Sequence, residues 1–303
     1  MSAQDSLEPF RADALGADQS LRDGKPAKKT ARLADLLPRL LSGLALMALA
    51  LAAWWLGGDV FILTWLAAAV AVFWEWQSIT GGERKTARIW LGVIALILVA
   101  AFASRMDFGL AVLCLGLASC CMAALASPKR RLWASGGLLY AGALIGSLCI
   151  LGSDKAYGPR AVLWLFAIVW GTDIFAYFGG RLLGGPKIWP QISPGKTWSG
   201  TLIGISCGAV LGTFFGIKGL PVPITVWPVF ALSLAAAAVS QSGDMFESWT
   251  KRQFGVKDSG HLIPGHGGLM DRLDGFIAAA FFAAIIGFSH GGPSLAASLF
   301  VWS

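Results

Sequence analysis

Between Lys257 and Gly275 the chain reads KDSGHLIPGHGGLMDRLDG, which gathers two His, three Asp, a Lys, an Arg and five Gly. The chain around it is 56% hydrophobic. Gly260, Gly265, Gly267 and Gly268, with Pro264, rule out a regular helix over 259–268. A loop of this kind lets backbone N–H groups come close to an anion. Helical spacing resumes at LMDRLDGF, where Asp271 and Asp274 lie three apart and share a face. Arg272 projects about 100° away from Asp271. Carboxylates drawn within about 4 Å repel by about 4 kcal/mol at an effective dielectric of about 20. A divalent cation removes that cost, and oxygen donors with no Cys nearby suit Mg²⁺ better than zinc. His261 and His266, five apart across Gly and Pro, lack the spacing of paired helical zinc ligands. They read as orienting or phosphate-contacting groups.

Just upstream, SQSGDMFESWTKRQFGV aligns Asp244, Ser248 and Lys251 at i, i+4 and i+7, on one helical face. Glu247 is adjacent, at i+3 from Asp244. Taken alone, such a run also suits a merely solvated face. Together with the loop, Lys251, Arg252, Lys257 and Arg272 can counter a polyanion that Asp-held Mg²⁺ also grips. This is equipment for a nucleotide triphosphate or pyrophosphate.

A second polar segment runs from Trp170 to Gly200, WGTDIFAYFGGRLLGGPKIWPQISPGKTWSG. Asp173 falls inside an apolar stretch, where a charge costs about 2.5–3.5 kcal/mol on insertion scales. It is a functional candidate for that reason. Gly195-Lys196-Thr197 invites a phosphate-loop reading, but that motif needs Gly five residues before Gly195, and Pro190 stands there. What remains is a turn carrying Ser193, Lys196 and Thr197 into a helix, able to offer N–H groups and an ammonium to a phosphate.

The elements that must position these groups are membrane helices. Only 14% of the 303 residues are charged, mean hydropathy is +0.66, and a soluble domain carries roughly 25% charged residues. Apolar runs long enough to span lie near 40–57, 60–78, 89–104, 108–127, 132–152, 161–180, 199–217, 222–240 and 273–289. This predicts an all-α polytopic protein of about nine spans. The first two form a hairpin, and the C-terminal GGPSLAASLFVWS is too short to span. Trp54, Trp55, Trp74 and Trp76 sit near span ends, as interfacial indoles do. With the N-terminus in the cytosol, only Arg105, Lys155, Arg160 and Lys218 of the 24 Lys and Arg fall on outward loops. That is the positive-inside asymmetry, and it puts the loops 181–198 and 241–272 on the cytosolic side.

Residues 1–37 lack an apolar stretch and read as a disordered cytosolic tail. Residues 38–152 then form an N-terminal set of helices, and 153–303 a catalytic region. The formal charge of +7 is scattered among loops, which argues against nucleic acid as a partner. The five Cys all fall in apolar runs without a zinc pattern and read as small buried hydrophobes.

The pattern Ser248-x-x-Lys251-Arg252, then Lys257-Asp258-x-Gly260-x-x-Ile263-Pro264-x-His266-Gly267-Gly268-x-x-Asp271-Arg272-x-Asp274, resembles the signature of the phosphatidate cytidylyltransferases, or CDP-diacylglycerol synthases. Gly243-Asp244 with Glu247-Ser248, and Ser193-Pro194-x-Lys196-Thr197-Trp198, resemble further blocks of that family. Thr250 departs from it, standing where an apolar residue is usual. The resemblance implies Mg²⁺-dependent conversion of CTP and phosphatidate to CDP-diacylglycerol and pyrophosphate, in phospholipid biosynthesis. It implies a multi-pass homodimer, here placed in a bacterial inner membrane, and a two-metal centre that can include a monovalent cation such as K⁺. Asp244 and Asp271 become the principal metal ligands, with Asp274 and Glu247 beside them. Lys251, Lys257, Asp258, His266 and Arg272 become catalytic. Asp173, Ser193, Lys196, Thr197, Ser248, Arg252, Gly267 and Gly268 become substrate-binding. The rival readings are a CTP-dependent polyprenol kinase, another lipid nucleotidyltransferase, and a transporter of phosphorylated solutes.

Overall fold

The computed structural model describes residues 27–218, 226–263, 267–292 and 294–302, with side chains from residue 41 onward. Among the described residues there are nine α-helices: α1 (Ala27–Leu56), α2 (Gly58–Thr80), α3 (Lys85–Ala103), α4 (Phe108–Leu125), α5 (Arg131–Gly152), α6 (Gly158–Leu183), α7 (Trp198–Ile217), α8 (Val226–Gln253) and α9 (Met270–His290). Eight of the described helices are long and apolar enough to cross a membrane, and Leu41–Leu56 of α1 is a shorter apolar stretch. The chain is an all-helical multi-pass membrane protein. Contacts divide it into two compact units. The smaller contains α1 up to Met47; the larger, from Ala48, contains the other helices and every site residue placed below.

Each apolar run of the sequence has become one helix. The first two helices are joined at Gly57 and Gly58, whose φ of 61° and 52° suits glycine, and no packing of the two against each other as the expected hairpin is seen among the described residues. Helix α1 starts at Ala27, inside the segment read as a tail; residues 1–26 lie outside the described residues. Helix α8 has 28 residues, or about 42 Å at 1.5 Å per residue. The hydrocarbon needs about 30 Å, so the helix outruns it by about 12 Å, and Asp244 to Lys251 lie in its polar C-terminal turns.

Helices α6 and α7 are in close contact along their length. Gly200, Gly204, Gly208, Gly212 and Gly216 recur every fourth residue, on one face of α7. A Cβ on Gly200 would lie 2.6 Å from the Ala176 carbonyl oxygen, and one on Gly204 2.5 Å from that of Thr172. The small residues let the backbones touch, which is how helices associate where lipid offers no hydrophobic drive. The turn between them is a two-stranded antiparallel hairpin, β1 (Lys187–Trp189) and β2 (Ser193–Thr197), with Lys187 opposite Thr197 and Trp189 opposite Ser193. The spacing of Pro and Gly had shown a turn here, without its strands.

Aromatic rings fill the centre of the bundle. Trp65 stacks on Phe276 at 5.1 Å, and Phe166 stacks on Trp170 at 4.7 Å. Trp164 is fully buried and donates to Ser233 Oγ at 2.9 Å. After α9 the chain folds back. Phe300 is buried edge-on to Trp164 at 5.9 Å, and Ser294 Oγ donates to Asp154 between α5 and α6. Trp55 and Trp74 are exposed, and Trp54 is half-buried with its indole donating to the Pro159 carbonyl at 2.6 Å. Trp76 is buried and donates to the Trp133 carbonyl at 2.7 Å, because α5 covers that face of α2. Of the five Cys, all unbridged, only Cys149 is buried as expected of all; Cys114 and Cys207 are half-buried, and Cys120 and Cys121 are exposed because that face of α4 packs against no other described helix.

Candidate active site

The site forms where α8 and α9 cross. Gly243 and Gly275 make the crossing possible: a Cβ on Gly243 would lie 2.5 Å from Ala278 Cβ, and one on Gly275 would lie 2.6 Å from Ser240 Oγ. This close approach sets Asp244 of α8 beside Asp274 of α9. Two helical turns along α8, Lys251 meets Asp271 of α9 at 2.7 Å and Glu247 of its own helix at 2.7 Å. Helical spacing had grouped these residues by face; the crossing of the two helices brings the two faces together.

Around Asp271 the contacts are dense. Besides Lys251 Nζ, its carboxylate accepts from the Ser259 backbone N–H, at 3.1 Å to Oδ1 and 3.0 Å to Oδ2. The Gly268 N–H donates to Oδ2 at 2.9 Å. Gly267, at φ 83°, leaves no room for a side chain, since a Cβ there would lie 2.8 Å from Asp271 Oδ2. The described residues of 259–268 are non-helical, as the Gly and Pro content required, and Ile263 pairs with Gly267 across the loop.

The loop also rests on Glu75 of α2, which the sequence reading passed over. Glu75 is completely buried. It accepts from Leu269 N–H at 2.8 Å, Met270 N–H at 2.7 Å and Ser259 Oγ at 3.1 Å. The signal was present: an acid flanked by Trp74 and Trp76 inside an apolar run is as anomalous as Asp173.

A second cluster adjoins the first. Lys196, on β2, contacts Asp244 Oδ2 at 2.6 Å and Gln241 Oε1 at 3.0 Å. Gln241 in turn donates from Nε2 to Asp173 Oδ1 at 3.1 Å. Asp173, Asp244 and Asp274 lie within electrostatic reach of one another and of Lys196. Of the three carboxylates, Lys196 contacts Asp244, and Arg272 is also within electrostatic reach of Asp173. Ser248 Oγ reaches Asp244 Oδ1 only at 3.5 Å.

The other expected residues take varied positions. Thr197 caps α7, its hydroxyl accepting from Gly200 N–H at 3.2 Å, so it anchors Lys196 next to it. Ser193 pairs in the hairpin opposite Trp189. Arg252 donates to the Val256 carbonyl at 2.8 Å and closes the end of α8. Lys257, Asp258 and Arg272 are exposed at the loop, and Arg272 is within electrostatic reach of Asp173. His266 lies outside the described residues; His261 is exposed. Thr250 is buried and satisfies its hydroxyl on the Phe246 carbonyl at 2.9 Å, which explains why a polar residue is tolerated there.

Among the described residues no three His, Cys, Asp or Glu are drawn together as a ready-made metal cage. The donor chemistry nevertheless fits a hard divalent cation. The ligands on offer are carboxylate oxygens in excess over ammonium groups, and Glu247 Oε1 is buried without a hydrogen-bond partner.

Residues 37–290 match the model of the cytidylyltransferase family. The chain is similar to a phosphatidate cytidylyltransferase of Brucella abortus, with 40% identity over 274 residues covering 88% of this chain and 99% of that protein. A phosphatidate cytidylyltransferase of Helicobacter pylori is 42% identical over 142 residues, 47% of this chain and 52% of that protein. One of Rickettsia bellii is 41% identical over 140 residues, 44% of this chain and 60% of that protein.

Proposed function

The chain belongs to the cytidylyltransferase family, and from that membership we propose that it converts CTP and phosphatidate to CDP-diacylglycerol and pyrophosphate. It is a nucleotidyltransferase of the membrane. The observation that supports the assignment of the site is the meeting of Lys196, Asp244, Lys251, Asp271 and the glycine loop at one α8–α9 crossing.

In this reading an oxygen of the lipid phosphate attacks the α-phosphorus of CTP. The bond to the β-phosphate bridging oxygen breaks, and pyrophosphate leaves with the electron pair. The lipid phosphate is ionised near neutral pH, so no general base is required. Lys196 and Lys251 are already held by carboxylates and therefore meet the polyphosphate preorganised, which is where electrostatic stabilisation is most effective. Lys257 and Arg272 add charge from the loop and from the start of α9. Asp244 and Asp271, with Asp274 and Glu247 beside them, would hold Mg²⁺, and a monovalent cation such as K⁺ belongs to the same proposal. Bound there, the metal supplies Lewis-acid stabilisation of phosphoryl oxygens. Asp173, exposed on an apolar helix, would meet a headgroup still anchored in the bilayer.

The distribution of Lys and Arg supports a cytosolic position for this end, and the bacterial relatives support an inner membrane. The homodimer rests on the family resemblance and is tested by mass measurement in detergent. The decisive experiment follows phosphate products from purified protein given CTP, phosphatidate and Mg²⁺. Pyrophosphate release that stops with a chelator and returns with Mg²⁺ is expected. Release of CDP with a polyprenol acceptor would instead identify a kinase.

A further inference from the structure

We propose that Glu75 is a positioning residue that holds the two described arms of the loop, 259–263 and 267–270, at the start of α9 in the shape that engages the CTP phosphates. It lies 184 residues from Ser259 in sequence and on a different helix. Its two oxygens accept from three donors of that one segment: Ser259 Oγ, Leu269 N–H and Met270 N–H. The last two are among the N–H groups at the start of α9, which lack partners within the helix. A carboxylate there also complements the positive end of the helix dipole.

Three observations separate this arrangement from an ordinary buried cap. The first is Ser259, which donates its hydroxyl to Glu75 and its backbone N–H to Asp271, so the two carboxylates grip one residue. The second is the glycine pair. A Cβ on Gly260 would lie 3.0 Å from Glu75 Oε1, and one on Gly268 would lie 2.6 Å from Oε2, so the loop is pressed onto the carboxylate on both arms. The third is the anchoring of α2 itself. Trp76 and Gln77, next to Glu75, donate to the Trp133 and Ala134 carbonyls of α5 at 2.7 and 2.9 Å. Arg88 and Arg130 hold the carbonyls of Gly81 and Thr80 at the end of α2. Glu75 is thereby a fixed post, and the loop is the part that is shaped.

Glu75→Gln keeps the volume but replaces one acceptor oxygen with an NH₂ that faces a donor. The kinetic consequence rests on the cytidylyl-transfer reading above; the order of the loop does not. With purified full-length protein, we expect Glu75→Gln to raise KM for CTP about tenfold, as the loss of a charge-assisted hydrogen bond would. KM for phosphatidate should stay within about twofold. Hydrogen exchange at 257–270 should quicken while exchange in α5 is unchanged. Ser259→Ala, which removes one of the three donors, should show the same pattern more weakly, and it carries the test should Glu75→Gln not fold. Unchanged KM for CTP together with unchanged loop exchange overturns the proposal. So does a loss of folded protein with normal KM for CTP in what remains, since that is a purely structural role. If wild-type protein releases no pyrophosphate, the function reading fails and the exchange measurement still decides whether Glu75 orders the loop.

Discussion

Asp271 and Asp244 are both aspartates that touch a lysine, and their surroundings differ sharply. The Asp271 side chain is 8% exposed and accepts from Lys251 Nζ and two backbone N–H groups. The Asp244 side chain is 30% exposed, with Lys196 at 2.6 Å and Ser248 only at the edge of hydrogen-bonding distance. A carboxylate has about four acceptor positions. Asp271 has filled most of them with the protein's own donors, and Asp244 has left most open. The family pattern assigns both to metal, but the surroundings add a second task to Asp271 alone, that of holding the loop. A catalytic end of the proposed kind needs both a fixed floor and an unfilled acceptor, and the surroundings of these two aspartates suit one to each task.

The contrast can be tested by neutralising each acid in turn. The largest effect should follow Asp271→Asn, which loses the charge and disrupts the bonds to the loop. Activity should fall at least about 100-fold, and stability by about 2 kcal/mol, measured as thermal unfolding in detergent. An Asp271→Asn protein with wild-type unfolding would end the idea that this residue holds the loop. Asp244→Asn comes next. Its rate should also fall at least about 100-fold. Its stability should stay within about 0.5 kcal/mol, because Lys196 keeps Gln241. A large drop in stability would erase the distinction between the two sites. Ser248→Ala should do least, changing kcat by less than about twofold, since a 3.5 Å contact is at the limit of a hydrogen bond. A strong effect there would mean that Asp244 is oriented by its own helix after all.

How much of this was legible beforehand follows from the range of each interaction. The apolar helices, eight long enough to span and a shorter one at Leu41–Leu56, were visible because hydrophobicity is a local, additive property. The shared face of Asp244, Ser248 and Lys251 was visible because helical spacing fixes i, i+4 and i+7 neighbours, whereas the Glu247–Lys251 ion pair, also four apart, was not read from it. The loop was visible because Gly and Pro act on their own backbone. Glu75 on Ser259 and Gln241 between Lys196 and Asp173 were not, since each contact depends on which helices pack together. The five glycines of α7 recur every fourth residue, and no reading had been taken from them, although that period announces a close helix pair. The antiparallel strands around Lys196 escaped for a different reason: segments of three and five residues carry too little periodicity to register.

The folded-back C-terminus has an electrical consequence. Acids placed in succession along a membrane bundle form a conduit for protons and cations, driven by about 2.3 kcal/mol per charge for every 100 mV. Here Phe300 and Leu299 are buried beside Trp164, and Phe166, Phe276 and Trp65 fill the core between that end and the acids. Rings packed in this way raise the cost of moving a charge through that part of the bundle.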